Sequence, residues 1–225
     1  MITPIKLLNA TFPGKFKHLY TVNSQGYRCP EFETIDWERS ILIFGCSNVF
    51  GVGASDEATV SSQLQLLVNR PVINLGQGAT GYSFNWMNST ILKECGVRPK
   101  AVVYIWPEYS RQSIFNSYNY TEQTTLGHWN LSYPNTDRTK VGVALVSDEF
   151  QCAAMAYYYS KNVQVLWNCP VLQYTYAARS KPPNSTWIKS MPQGIDHTPV
   201  DPTHPGIKTN IERAKQIHAD LQTRI

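Results

Sequence analysis

The chain has 225 residues, of which 42% are hydrophobic and 16% charged, and this length and composition predict one compact domain over residues 1–225. Its formal net charge of +4 is mildly basic, yet the lysines and arginines are scattered and form no run of the kind that binds nucleic acid. No apolar stretch approaches the roughly 18 residues of a membrane span, so we expect neither a nucleic-acid partner nor a membrane span.

The termini and the cysteines carry little further signal. The first ten residues lack the charged start, apolar run and cleavage site of a secretory signal, so we expect a cytoplasmic protein. The five cysteines are odd in number, irregularly spaced and without a CxxC pair, which argues against a disulfide framework and against a zinc site. We therefore expect reduced thiols and no metal, while the sequence leaves the oligomeric state open.

Short apolar runs alternate with helical segments along the chain. Runs ending in turn residues predict strands buried on both faces at 41–45, 71–76, 101–106 and 163–168. The remaining periodic segments predict helices at 57–69, 83–95, 148–162 and 205–223. Such alternation requires right-handed crossovers and a parallel sheet covered on both faces. The predicted fold is α/β, a three-layer α/β/α sandwich with a central parallel sheet.

Two long polar and aromatic segments, 107–142 and 170–200, interrupt this alternation. We interpret them as loop insertions. Because open α/β sheets bind their ligands beyond the carboxyl ends of the strands, these loops are expected to wall a binding cleft. The alternative is a satellite core under a long loop, filled by the aromatic side chains of Tyr118, Tyr120, Trp129 and Tyr133.

A serine follows the first predicted strand, and a carboxylate–histidine pair precedes the last helix. Ser47 comes directly after Gly45-Cys46, which places its hydroxyl at the carboxyl edge of the sheet. Alone it indicates only a turn serine, since a serine needs a base to become a nucleophile. Asp201 and His204 are spaced so that the carboxylate can reach Nδ1 while Nε2 faces the cleft. Alternatively, Asp201 caps a turn and His204 is a surface histidine.

Three segments together resemble the SGNH (GDSL-like) hydrolases. "GCSN" after the first strand, "NLGQGATGYS" after the second and "DPTHPG" before the last helix are similar to the first, second and fifth sequence blocks of that family. The lead-in "VNSQGYRCPEF" is similar to a segment often found upstream of the serine, and the resemblance spans about residues 21–222. It implies a flavodoxin-like sandwich and a serine hydrolase without metal or organic cofactor. Ser47 would be the nucleophile, His204 the general base and then acid, and Asp201 the residue that orients His204.

The resemblance also implies an oxyanion hole formed by two backbone N–H groups. One belongs to Ser47 and the other to a glycine of the second block, both aimed at the charge of the tetrahedral intermediate. Gly78 and Gly81 compete for this role, and we favour Gly78. The alternative for both glycines is a tight turn that requires a positive φ.

Two departures from the family pattern bear on activity. Cys46 replaces the usual aspartate, and we interpret it as a small buried hydrophobic residue and not as a nucleophile. The third block, "YIWPEYSR", lacks the asparagine that donates into the oxyanion hole, and loss of one such donor typically costs about 100- to 1000-fold in rate. Arg111, Tyr109 and Asn48 are the candidate replacements. For Arg111, the alternative is a salt bridge with Glu108 at the rim.

A second histidine competes for the role of base. His197 has Asp196 beside it, but neighbours in sequence face each other poorly, and only His204 combines an upstream aspartate with the Pro-Gly start of a helix. No partner can be named for His18, His128 and His218.

The expected function is hydrolysis of an acyl ester, with acetyl as the first choice, through an acyl-enzyme on Ser47. Aromatic and amide-rich loops favour a polar, carbohydrate-like substrate, either a small molecule or a glycan. The alternative is a catalytically degenerate domain that serves as a binding or assembly module, for example on a virus particle. An acyltransferase that passes the acyl group to a sugar hydroxyl would use the same residues.

Overall fold

The computed structural model describes residues 4–8, 20–115, 123–126, 148–176 and 181–224. Seven strands lie in this part of the chain, β1 (Ile41–Gly45), β2 (Val72–Asn74), β3 (Ala101–Trp106), β4 (Gln112–Phe115), β5 (Gln123–Leu126), β6 (Val171–Thr175) and β7 (Ile188–Ser190). The α-helices in the same part of the chain are α1 (Ser47–Phe50), α2 (Val60–Gln65), α3 (Tyr82–Glu94), α4 (Glu149–Leu166) and α5 (Ile207–Gln222).

Five strands form the central sheet, in the order β2-β1-β3-β6-β7, and every pair is parallel. Strands β4 and β5 form a separate antiparallel pair within the segment that follows β3. Because the five central strands run the same way, their carboxyl ends lie at one edge of the sheet. The predicted α/β sandwich with a parallel sheet is confirmed, and the loops after these strands meet at one edge.

The core lies on both faces of the sheet. Ile41 and Ile43 of β1 pack in a cluster with buried residues of α2 and α5. Leu42 and Phe44 point the other way and pack in a second cluster with buried residues of α3 and α4. All four side chains are fully buried. A strand covered on both faces requires a continuous apolar run, which is why "ILIF" shows no polar alternation.

The predicted strand at 163–168 is wrong. Helix α4 continues to Leu166, and the strand is β6, which begins at Val171. Val163 is fully buried while Val165 is 78% exposed. Residues two apart face the same side of a strand but nearly opposite sides of a helix, so this burial pattern is helical. Pro170 separates the helix from the strand, and the segment 170–200 is not one loop, because it contains β6 and β7.

The predicted helices are present with shifted ends. The segment 57–69 forms a 3-10 turn at Asp56–Ala58 followed by the short α2. Helix α4 is capped by the Asp148 carboxylate, which accepts a hydrogen bond from Gln151 N at 2.9 Å. No helix in the described ranges has the length and apolar character needed to cross a bilayer. Six residues named in the sequence analysis lie outside the described residues. They are the four aromatic residues of the alternative satellite core, Tyr118, Tyr120, Trp129 and Tyr133, and the histidines His18 and His128.

Candidate active site

Ser47 is the first residue of α1 and follows the end of β1 after a single residue. The turn between strand and helix is so tight that a Cβ on Gly45 would lie 2.3 Å from Val49 Cγ2 and 2.8 Å from the carbonyl oxygen of Ile105. Val49 N and Phe50 N both donate to the carbonyl oxygen of Cys46 at 3.0 Å, so the N–H groups of Ser47 and Asn48 precede the first bonds of the helix. Ser47 therefore sits at the carboxyl edge of the sheet, at the start of a helix of four residues.

The loop after α1 is held by Arg28, which the sequence did not single out. Its Nη1 donates to the carbonyl oxygens of Phe50, Gly51 and Ala54 at 3.1, 2.8 and 3.1 Å, and its Nε donates to Asp56 at 3.1 Å. The Arg28 side chain is only 3% exposed. The lead-in segment thus fixes the turn that carries Ser47, although its resemblance to the family had not indicated which side chain does so.

The second block supports the serine turn from the other side. Asn74 Nδ2 donates to the carbonyl oxygen of Val49 at 2.8 Å, and Asn74 Oδ1 accepts from Gly76 N at 3.0 Å. A Cβ on Gly76 would lie 2.5 Å from Phe50 N. These contacts pin the chain after β2 directly against α1.

The two candidate oxyanion glycines differ in their surroundings. Neither Gly78 nor Gly81 has a positive φ. The residue with a positive φ in this loop is Ala79, at 57°. Gly81 has a separate reason to lack a side chain, since a Cβ there would lie 2.2 Å from the carbonyl oxygen of Arg111. Gly78 is buried next to Gln77, whose N–H donates to the carbonyl oxygen of Gly45 at 3.1 Å. Gly78 thus lies beside the start of the serine turn, and the choice between the two glycines stays a prediction.

Asp201 and His204 form a hydrogen-bonded pair. Asp201 Oδ2 lies 2.8 Å from His204 Nδ1, and the other carboxylate oxygen accepts from Thr203 N at 2.9 Å and from Thr203 Oγ1 at 2.6 Å. The carboxylate can only accept, so Nδ1 of His204 carries the proton and Nε2 has a free lone pair. Both side chains are partly exposed, His204 at 17% and Asp201 at 22%. The pair has the tautomer that a general base needs.

The pKa of His204 is shifted in the direction that suits a base. Burial lowers this pKa below the usual 6.5, the Asp201 carboxylate opposes the shift, and the positive charge of Arg111 adds to it. The imidazole is therefore neutral at pH 7 and able to accept a proton.

The histidine loop packs against the loop that follows Ser47. A Cβ on Gly53 would lie 2.5 Å from Thr198 Oγ1 and 3.3 Å from Asp201 Cβ. Arg111, from the segment after β3, lies near Cys46, the neighbour of Ser47, and near enough to His204 for its charge to lower the pKa of the imidazole. The structure thus brings the serine turn, the Asp201–His204 pair and Arg111 to the same edge of the sheet.

The competing pair is engaged elsewhere. The Asp196 carboxylate accepts hydrogen bonds from Lys208 N at 3.0 Å and from Thr209 N at 2.8 Å, so it caps the first turn of α5. A Cβ on Gly206 would lie 2.5 Å from Asp196 Oδ2, which accounts for the glycine of "DPTHPG". His197 is exposed and is not backed by this carboxylate.

A buried polar cluster lies behind Ser47. Cys46 is fully buried, as expected, but its Sγ lies 3.3 Å from the hydroxyl of Tyr176. Arg213 of α5 donates to Asn48 Oδ1 at 3.2 Å and to the carbonyl oxygen of Pro192 at 3.0 Å. Its guanidinium lies 5.7 Å from the centre of the Tyr176 ring. Sequence reasoning missed Arg213 and Tyr176, because no local pattern points to either.

The other candidate donors have defined partners. The hydroxyl of Tyr109 bonds to Glu149 at the start of α4, and the Tyr109 ring packs in the core, which favours a structural role. Burial lowers the pKa of the Arg111 guanidinium, but its neighbours Cys46, Tyr176 and Glu108 outweigh that effect, so the pKa lies above its usual value. Among the described residues, no group of three or more His, Cys, Asp or Glu side chains could hold a metal ion.

Comparison with known proteins gives similar folds but no similar sequence. No protein-family model and no curated protein matches the chain. A carbohydrate esterase family 2 enzyme with a carbohydrate-binding domain from Corynascus thermopiles (Myceliophthora fergusii) matches with a TM-score of 0.50 and 10% identity, over 82% of this chain and 66% of that one. The chain has the fold of the SGNH hydrolases.

Two further solved structures match the chain with lower scores. An acetyl xylan esterase (Est2A) from the rumen bacterium Butyrivibrio proteoclasticus has a TM-score of 0.47 and 13% identity, over 82% of this chain and 64% of that one. A putative lipolytic protein of the G-D-S-L family from Desulfitobacterium hafniense DCB-2 has a TM-score of 0.40 and 10% identity, over 81% of this chain and 99% of that one. The chain spans just under two thirds of the length of the family 2 carbohydrate esterase and of the acetyl xylan esterase.

Proposed function

We propose that the chain is a serine esterase that removes an acetyl group from a carbohydrate-like substrate. The Asp201–His204 pair carries this proposal. Its 2.8 Å hydrogen bond leaves Nε2 as a base, and its loop packs against the loop after Ser47. Carbohydrate esterases are among the structures with the same fold, which makes acetylated sugars the first substrates to test.

The proposed reaction proceeds through an acyl-enzyme. Ser47 Oγ attacks the acyl carbon while Nε2 of His204 takes the hydroxyl proton. The tetrahedral intermediate then expels the sugar oxygen, which receives that proton from the imidazolium. A water molecule repeats the attack with His204 as base, and this releases acetate and regenerates the Ser47 hydroxyl. Asp201 keeps the proton on Nδ1 and stabilises the imidazolium throughout.

The negative oxygen of the intermediate requires donors. The backbone N–H of Ser47 at the start of α1 and that of Gly78 beside the serine turn are the proposed pair. Asn48 and Arg111 are the candidates for the third donor, in place of the missing asparagine of the third block. Tyr109 is the weakest candidate, because its hydroxyl bonds to Glu149.

The fall of kcat/KM at low pH, the acid limb of the pH profile, tests whether His204 is the base. We expect kcat/KM to fall as pH decreases through an apparent pKa below 6.5, because the lowered pKa of His204 keeps the imidazole neutral down to that pH. Asp201→Asn removes the carboxylate that raises this pKa, so the limb should move to lower pH. The measurement is kcat/KM for a neutral acetyl ester between about pH 4 and pH 8. An acid limb with an apparent pKa above 6.5 would contradict the assignment of His204 as the base.

Fluorophosphonate labelling tests the proposal as a whole. We expect one covalent adduct by intact-mass analysis, mapped by peptide sequencing to Ser47, and we expect it to survive Cys46→Ala. An adduct on Cys46 would contradict the assignment of the nucleophile. Absence of any adduct in a folded sample would favour the binding or assembly module. Once labelling is seen, competition by added sugar alcohols distinguishes transfer from hydrolysis.

A further inference from the structure

Arg213 reaches from the middle of α5 to the residue that follows the nucleophile. Its Nη1 donates to Asn48 Oδ1 at 3.2 Å, although the two residues are 165 positions apart in sequence. The guanidinium is itself fixed by the carbonyl oxygen of Pro192, at 3.0 Å from Nε, and by the ring of Tyr176. Arg213 is 3% exposed. This arginine is therefore held rigidly and contacts the serine turn directly.

The bond determines which way the Asn48 amide faces. A guanidinium has only donors, so the oxygen of the amide must face Arg213 and the Nδ2 group must point away from it. Within the described ranges, Nδ2 of Asn48 has no hydrogen-bond acceptor, and Asn48 keeps 8% of its surface exposed. Two N–H donors thus remain unused, one residue from Ser47.

We propose that Arg213 is a positioning residue that orients Asn48, so that Asn48 Nδ2 donates to the acyl oxygen of a substrate bound at Ser47. The inference rests on the proposed esterase function. It gives the site a third oxyanion donor where the third block has none. The positive charge on Arg213 also polarises the Asn48 amide and strengthens its N–H groups as donors.

Substitution of Asn48 tests the donor itself. We expect Asn48→Ala to lower kcat for acetyl-ester hydrolysis by about 100-fold with a much smaller change in KM, since the bond forms fully only in the transition state. Asn48→Asp, which keeps the shape but replaces the donor with an acceptor, should lower kcat at least as much. Both variants should still bind a non-reactive substrate analogue.

Substitution of Arg213 tests the positioning. We expect Arg213→Met to lower kcat. Arg213→Lys should recover part of the loss, because the lysine can donate one bond to Asn48 Oδ1. When Asn48 is already alanine, Arg213→Met should lower kcat no further. Arg224→Met is the matched control and should leave kcat unchanged. Arg224 is exposed and lies just after the end of α5. Circular dichroism on each variant establishes that it is folded.

The outcomes separate this inference from the proposed function. If the wild-type chain shows neither labelling nor ester hydrolysis, the esterase proposal fails and the inference fails with it. If the wild type is active and Asn48→Ala keeps the wild-type kcat, only the donor role is overturned. If the effects of Asn48→Ala and Arg213→Met on kcat simply multiply in the double variant, Arg213 does not act through Asn48 and the positioning role is overturned.

Discussion

Replacing His204 with alanine is expected to lower kcat for ester hydrolysis by about 10,000-fold or more, and replacing Ser47 with alanine should do the same. Without the imidazole no group takes the hydroxyl proton, and without the hydroxyl no acyl-enzyme forms. Because the two act in one step, the double variant should be no slower than either single variant. Steady-state hydrolysis of an activated acetyl ester, with the rate of fluorophosphonate labelling beside it, measures both effects.

Two variants sharpen this test. Asp201→Asn should lower kcat by about 10,000-fold without removing the histidine, since the amide can no longer hold the proton on Nδ1. His197→Ala is the matched control, because His197 is exposed and the neighbouring Asp196 caps α5. If His197→Ala abolished activity and His204→Ala did not, the assignment of the base would be wrong.

Arg28→Met is expected to lower the free energy of unfolding by about 3 kcal/mol. The substitution removes the Arg28 donor from the carbonyls of Phe50 and Ala54, whereas the Gly51 carbonyl still accepts from Ala54 N. Buried acceptors without a donor cost about 1–3 kcal/mol each. The ion pair with Asp56 adds little, because the Asp56 side chain is 49% exposed. For a chain of this size the loss corresponds to about 10 °C in Tm. Chemical denaturation followed by fluorescence measures it.

The control for this prediction is Arg39→Met, which removes an exposed arginine and should leave stability unchanged. Arg28→Lys should recover only part of the loss, because one ammonium cannot match the several donors of a guanidinium. Hydrolysis should fall in Arg28→Met as well, since the same loop packs against the residues around Asp201. A loss of stability no larger than that of Arg39→Met would mean that other contacts hold the loop.

The fold was largely predictable from local pattern as far as β3, and the errors lie at 163–200. A strand covered on both faces must be apolar throughout, so the first three runs were recognisable without any knowledge of their partners. The run at 163–168 has the same composition but continues α4, because Val163 faces the core and Val165 faces solvent. Composition alone does not separate a short buried strand from the end of a helix.

The proposed catalytic residues were also visible in the sequence. Ser47 follows a strand, and the three-residue spacing of Asp201 and His204 lets the two side chains meet within one turn of chain. The 2.8 Å bond between them follows from that local spacing. Arg28 and Arg213 were not visible, because each acts on a segment far away in sequence and neither belongs to a motif.

The sequence by itself determined the alternation of strands and helices as far as β3, the burial of the first three central strands and the local Asp201–His204 pair, since these depend on periodicity and short spacing. Only the tertiary structure decided that Asp196 caps α5, that Gly81 makes room for the carbonyl of Arg111, and that Arg213 faces Asn48. These contacts join segments that meet only when parallel strands bring their carboxyl ends to one edge. The packing of those loops depends on the whole sheet, and no local pattern encodes it.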